Sequence, residues 1–162
     1  MKNQETVLVT GGSGFIATHC IIKLLAEGYR VKATVRDLSR TDELENIVQK
    51  ANQRFENDSS VEIEWVLANL SSDEGWDDAV TSCEYVLHIA SPITTSVDVS
   101  DNEMIIPARD GTIRVMKAAS KAGVKRVVLT SSVAAILGGT NKKEPYDEAD
   151  WTDVNASGVS AY

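Results

Sequence analysis

The chain has 162 residues, 43% of them hydrophobic, which is enough for one domain with a real core. Its 16 basic and 24 acidic residues give a formal charge of −8, which argues against a nucleic-acid or anionic-membrane surface and points to a soluble, cytoplasmic protein. Cys20 and Cys83 stand in no ligand or C-x-x-C spacing, nothing at the N-terminus reads as a signal peptide and no apolar run approaches bilayer length, so neither a metal site nor a membrane span is expected.

Thr6 to Val9 is a short β-branched, apolar run that leads straight into Gly11, Gly12 and Gly14. A helix follows at once: Ile16, Cys20, Ile21, Leu24 and Leu25 recur at three- and four-residue steps, and Gly28 stands where a C′ glycine ends a helix. Val31 to Val35 is the second strand. Such a unit crosses over right-handedly and aims the unpaired amides and positive dipole end of the helix at the glycine turn. That is an anion site for a pyrophosphate. Gly12-Ser13-Gly14-Phe15-Ile16-Ala17 fits the G-x-G-x-x-G/A dinucleotide fingerprint, and Gly11, Gly14 and Ala17 also fit G-x-x-G-x-x-A. Gly11 makes the turn, Gly14 lets phosphates approach and Ala17 lets the helix lie close to the strand; Phe15 and Ile16 join them as cofactor contacts.

Ser39 or Thr41 caps a helix carrying Leu44, Ile47, Val48 and Ala51, and Asn52 to Ser60 is a polar linker. Val61 to Leu67 is the third strand. Ser71-Ser72-Asp73-Glu74 offers a capping box to a short helix using Trp76, Ala79 and Val80, and Tyr85 to Ile89 is the fourth strand. The longest helix runs from about Asn102 to Ala122, with Pro107 near its first turns and Gly123 past its end; Arg126 to Thr130 is strand five. Strands alternating with helices predict an α/β, doubly wound Rossmann sheet in three layers, ordered 3-2-1-4-5, with residues 1–162 as one NAD(P)-binding domain.

Ligands of such sheets lie beyond the carboxyl ends of the strands. After strand two, Arg36 offers a forked cation for a 2′-phosphate where an NAD site would place an acid, so NADP is favoured, with Arg40 as a second cation and Asp37 keeping NAD open. After strand three, Ala68-Asn69-Leu70 either presents an amide and a leucine to an adenine ring or is a plain turn with an Asn at a special φ. After strand four, the small residues Ala90, Ser91 and Pro92 let the backbone run beside a nicotinamide ribose. Strand alternation makes His88 a core histidine. Trp65, Trp76 and Trp151 are packing residues. Strand five ends in Thr130-Ser131-Ser132, and the last residue is Tyr162; a serine that holds a carbonyl oxygen and a phenol that protonates it are a recurrent pair, provided the phenol is made more acidic.

Thr10-Gly11-Gly12-Ser13-Gly14-Phe15-Ile16-Ala17, Ala33-Thr34-Val35-Arg36-Asp37, His88-Ile89-Ala90-Ser91-Pro92, Thr130-Ser131-Ser132 and Asp147-Glu148-Ala149-Asp150-Trp151 together resemble the extended short-chain dehydrogenase/reductases, closest to the dihydroflavonol 4-reductase-like branch. The resemblance implies NADPH-dependent reduction of a small aldehyde or ketone, with Ser132 as the catalytic serine, Tyr162 as the tyrosine of Tyr-x-x-x-Lys and Arg36 as the mark of NADP. It also implies a homodimer through the long helix. Asn69 stands where many relatives carry Asp, and Leu137 near where plant flavonoid reductases carry a polar residue, which speaks against a flavonoid substrate. The sequence stops at Tyr162, so the lysine, its helix and the substrate domain lie outside it; the chain alone is expected to be nearly silent in catalysis, with the sheet beside strand five and the apolar side of the long helix open. Two other readings stand beside this one: an NAD-dependent sugar-nucleotide epimerase or dehydratase, and a non-catalytic dinucleotide-binding fragment.

Overall fold

The computed structural model describes residues 5–54, 62–92, 100–139 and 145–159. Five parallel strands, β1 (Thr6–Val9), β2 (Arg30–Val35), β3 (Ile63–Leu67), β4 (Tyr85–His88) and β5 (Arg126–Leu129), form one sheet in the order β3-β2-β1-β4-β5. Helices α1 (Phe15–Ala26), α2 (Thr41–Arg54), α3 (Trp76–Val80) and α4 (Asp101–Lys121) make the crossovers, and a single turn, α5 (Ala134–Leu137), follows β5. This is the doubly wound Rossmann architecture that the alternation of strands and helices predicts.

The period of two in β1 divides the core. Val9 faces Ala17, Ile21 and Val48 of α1 and α2, whereas Leu8 faces Trp76, Val115 and Ala119 of α3 and α4. β1 pairs β2 on one edge (Val9 opposite Ala33) and β4 on the other (Val9 opposite Leu87), so the glycine turn that leaves it opens at the point where the strand order reverses.

Several local expectations are corrected. Asp37, rather than Ser39 or Thr41, starts the second helical segment: its carboxylate accepts the Ser39 N–H at 2.8 Å and caps a 3₁₀ turn, Leu38–Arg40, that runs into α2. Ile47 on α2 is exposed, and Asn52 belongs to that helix and is buried rather than opening a linker. Val61 lies outside the described residues; β4 and β5 each end one residue early, at His88 and Leu129. The capping box at α3 does not form. Its N-cap is Gly75 at φ +83, a left-handed position where a Cβ would run into the Leu67 carbonyl, so the chain takes the one residue that fits. α4 instead carries the capping box, with the Glu103 carboxylate accepting the Ser100 N–H at 2.9 Å. Trp151 is 73% exposed and packs on little, in contrast to Trp76 at 3%.

Lys32 is a buried residue in the middle of β2. Its ammonium donates to the carbonyls of Asp78 (2.9 Å) and Thr81 (3.3 Å) at the end of α3 and pairs with Glu64 at 2.9 Å, so a cation meets the negative end of the helix. Cys83, close by, has its thiol pushed up to about 11 by burial and stays neutral. Val128 and Leu129 of β5 and Ile105, Ile106, Ile113 and Met116 of α4 remain exposed, so the outer sides of both elements are open among the described residues. No helix there is long and apolar enough to cross a membrane.

Replacing Lys32 with Met keeps the stem and removes the ammonium, leaving two helix-end carbonyls without their donor. The variant is expected to lose about 1 to 3 kcal/mol in urea unfolding at unchanged m-value. A midpoint equal to that of the parent protein would show that the carbonyls find water instead.

Candidate functional site

A cleft of about 640 Å³ lies across the carboxyl ends of β1 to β4. Gly11, Gly14, Phe15, Ile16, Arg36, Asn69, Leu70, Ala90, Ser91 and Pro92 all line it, together with Ser13, Ala17, Thr34 and Trp76.

Thr10, the residue after β1, joins its two sides. Its N–H donates to the Leu87 carbonyl at 3.0 Å, and its hydroxyl oxygen accepts the N–H groups of Ile89 and Ala90, each at 3.0 Å. With both lone pairs engaged, the one hydroxyl proton goes to His88 Nδ1 at 2.8 Å. His88 is therefore the neutral tautomer protonated at Nε2, which is buried without a partner among the described residues. Burial holds its pKa below the ordinary value of 6.5. It is the core histidine expected from strand alternation.

The turn itself is tight. Gly11 sits at φ +69, donates to Thr34 Oγ1 at 3.0 Å and lies so close to Ala90 that an added Cβ would stand 3.0 Å from the alanine Cβ. At Gly12 a Cβ would come within 2.9 Å of Trp65 and Ala33 side chains, so Gly12 shares with the buried Ala17 the task of close packing. Gly14 differs: apart from its chain neighbours, the only atom among the described residues within 4 Å of a Cβ there is the Gly11 carbonyl oxygen at 3.2 Å, and the space beyond belongs to the cleft. Among the described residues, no acceptor takes the amides of Ser13, Phe15, Ile16 or Ala17; the first helical N–H with a partner is Thr18, on Gly14 O at 2.9 Å. A run of free amides at the start of a twelve-residue helix, beside a glycine that leaves room for a large anion, suits a pyrophosphate.

Arg36 is exposed at the mouth of the cleft and makes no hydrogen bond or ion pair with the described residues. The neighbouring Asp37 turns away, its carboxylate accepting both the N–H and the hydroxyl of Ser39 at 2.8 Å, bonds that hold its pKa below the ordinary range. Arg40 does not line the cleft; it pairs with Glu43 at 3.2 Å. Asn69 is not at a positive φ; its side-chain oxygen accepts the Ser71 N–H at 3.0 Å, so it closes a turn and lines the cleft at once, with its amide NH₂ still available.

Ser132 is exposed beyond β5 and lies outside this cleft; its oxygen accepts the Ala134 N–H at 3.3 Å, and among the described residues its hydroxyl hydrogen has no acceptor. Tyr162 lies outside the described residues. Thr152 ties the segment that follows to α5: its hydroxyl donates to the Ala134 carbonyl and accepts the Gly138 N–H at 2.9 Å. Sequence reasoning missed Thr10 and Thr34. Both are hydroxyl residues at strand ends beside the fingerprint, where a loop needs side-chain partners for its amides.

The model of the 3-beta hydroxysteroid dehydrogenase/isomerase family matches residues 8–162. Dihydroflavonol 4-reductase of Arabidopsis thaliana is 36% identical over 155 residues, which are 95% of this chain and 39% of that protein. Among solved structures, Gre2 of Candida albicans in complex with NADPH superposes with a TM-score of 0.74 at 32% identity, over 93% of this chain and 44% of that one. The yeast methylglyoxal/isovaleraldehyde reductase Gre2 complexed with NADPH gives 0.67 at 29%, over 91% and 44%. The chain therefore spans less than half the length of these relatives.

The Thr10–His88 pair sets a pH dependence. In the unfolded chain His88 takes up a proton near its ordinary 6.5, whereas the folded protein resists it, so stability is complete above that pH and falls as the pH drops below it. The slope due to this group is at most one proton, about 1.4 kcal/mol per pH unit. Urea midpoints measured between pH 7.5 and 5, above the carboxylate range, check this; a flat profile would mean that the imidazole charges freely in the native state.

Proposed function

The chain belongs to the 3-beta hydroxysteroid dehydrogenase/isomerase family, and on that footing we propose that it is the cofactor-binding part of an NADPH-dependent reductase of small aldehydes or ketones. The observation that carries the reading is the cleft over β1 to β4, with free amides at the start of α1 and Arg36 at its mouth. The complexes of the two Gre2 reductases with NADPH support it.

The roles follow from the chemistry of the lining. Ser13, Phe15, Ile16 and Ala17 would give their amides to the pyrophosphate, and Gly14 would leave the space it needs. Arg36 would clamp the 2′-phosphate and lay its planar face on the adenine, while Asp37, engaged with Ser39, would not compete as a ribose acceptor. Asn69 and Leu70 would wall the adenine, and Ala90, Ser91 and Pro92 would run beside the nicotinamide ribose. A bound nicotinamide supplies hydride to the carbonyl carbon. The chain's own contribution to that step is the Ser132 hydroxyl, whose hydrogen has no acceptor among the described residues, holding the carbonyl oxygen, and Tyr162 donating the proton to it.

Fluorescence or calorimetric titration with NADPH and NADH tests the reading, and tighter binding of NADPH is expected. Replacing Arg36 with Asp should weaken NADPH by about 1 to 3 kcal/mol, the worth of a lost charge-assisted contact, beyond a smaller loss of adenine contact that NADH shares. Equal losses for both cofactors would sink the assignment of Arg36 to the 2′-phosphate.

Replacing Gly14 with Val is expected to abolish binding of both dinucleotides while the protein keeps its fold, because φ −79 at this residue suits a side chain and the 3.2 Å approach of a Cβ to the Gly11 carbonyl oxygen asks for a shift of a few tenths of an ångström, whereas the branched side chain fills the cleft. Circular dichroism and a titration on the same sample suffice: a folded variant that still binds places the phosphates elsewhere.

A further inference from the structure

The cleft wall made by Asn69 and Leu70 belongs to a loop whose last bond to the sheet is the Ala68 N–H on the Val35 carbonyl at 3.0 Å. Beyond Ala68, the loop is held from below by Trp76, which also lines the cleft, and from outside the cleft by α4. Trp76 Nε1 lies on the carbonyls of Asn69 (3.2 Å) and Ser72 (3.0 Å). From α4, Arg114 donates Nη1–H to the Leu70 carbonyl at 2.7 Å and Nε–H to the Asp73 carboxylate. Three residues earlier on the same helix, buried Gly111 brings the α4 backbone against Leu70: a Cβ built there would stand 2.9 Å from the Leu70 Cβ and 3.2 Å from its carbonyl oxygen.

Arg114 does not line the cleft; it lines a separate groove between α3 and α4. Its planar fork nevertheless grips the loop at Leu70 and again at Asp73, three residues on, and so fixes the span that carries Leu70. With Gly111 setting the depth and Arg114 the tilt, Leu70 has one place to stand.

We propose that Arg114 is a positioning residue for the adenine end of the cofactor, acting through the Leu70 carbonyl. The inference rests on the reading of the cleft as an NADPH site. A ligand that reaches the loop meets a wall already ordered, and without Arg114 it must order the loop itself, which weakens binding at that end only. A staple that served the fold alone would act differently: its loss would lower the melting temperature and weaken every part of the ligand alike or none of it.

The test separates the two ends. NADPH, 2′,5′-ADP and NMNH at millimolar concentration are titrated calorimetrically into the parent chain, R114M and R114K. R114M is expected to bind NADPH and 2′,5′-ADP about tenfold more weakly, by the same factor for both, with NMNH unchanged. R114K, which can keep the Leu70 bond but cannot reach Asp73 as well, should recover part of the loss. D73N, on the exposed side of the contact, should show the same selectivity at smaller size and serves if R114M does not fold. An unchanged 2′,5′-ADP affinity in folded R114M overturns the inference alone, as does a loss shared equally by NMNH. A parent chain that binds neither NADPH nor 2′,5′-ADP overturns the cofactor reading and the inference with it.

Discussion

The hydroxyl of Thr10 is the constraint on which the upper end of the sheet depends. β1 is the central strand, and the chain leaving it must make the glycine turn on one side while the segment after β4 runs past on the other. One oxygen, with one proton and two lone pairs, serves Ile89, Ala90 and His88, and has nothing left over. The distance across the cleft is thus fixed by a fully used side chain, and the buried ring of His88 fixes the direction of its proton. Packing then follows that geometry: Gly11 has just enough room against Ala90, and Gly12 against Trp65.

Charge is arranged on two scales. The chain as a whole carries −8, yet Arg36 is the only charged residue among the described residues that line the cleft. In the proposed reading the pyrophosphate end would rely on neutral amides and the helix dipole, which act over a few ångströms. The acidic excess lies elsewhere on the surface, where salt screens it beyond about 8 to 10 Å. An anionic ligand can therefore settle on an acidic protein, because what it meets at contact is N–H groups and one guanidinium.

Much of this was legible in the sequence, for reasons that differ by residue. The α1 stripe of Ile21, Leu24 and Leu25 and the β1 run of Thr6 to Val9 are local periodicities, and the strand order follows from chain direction and crossover hand. The cleft residues were legible because strand ends in a parallel sheet all arrive on one side. Lys32 was not: a lysine in a strand reads as solvent-facing until α3 is known to end above it. Gly75 reads as a loop residue, and only the approach of the Leu67 carbonyl makes it obligatory, displacing the capping box expected from Ser71 to Glu74. Asn52 and Trp151 exchanged their expected places, one buried and one exposed, because polarity alone does not say which side of an element meets the core.

The central place of β1 bears on how the chain comes off the ribosome. The strand is made first, and its β2 edge is filled within about one helical crossover, but the Thr10 to His88 bond on the other edge spans 78 residues, and Lys125 returns to Glu5 across 120. At the usual elongation rate of about 5 to 20 residues per second, 78 residues take roughly 4 to 16 s. Through that interval Leu8 and Val9, fully buried at the end, border an unpaired strand edge in a growing chain. The α1, α2 side with β2 and β3 can assemble meanwhile, and the α3, α4 side closes over it later. Non-local pairing of this kind is slow to form, so a nascent chain of this protein presents for seconds the sort of apolar edge that chaperones hold.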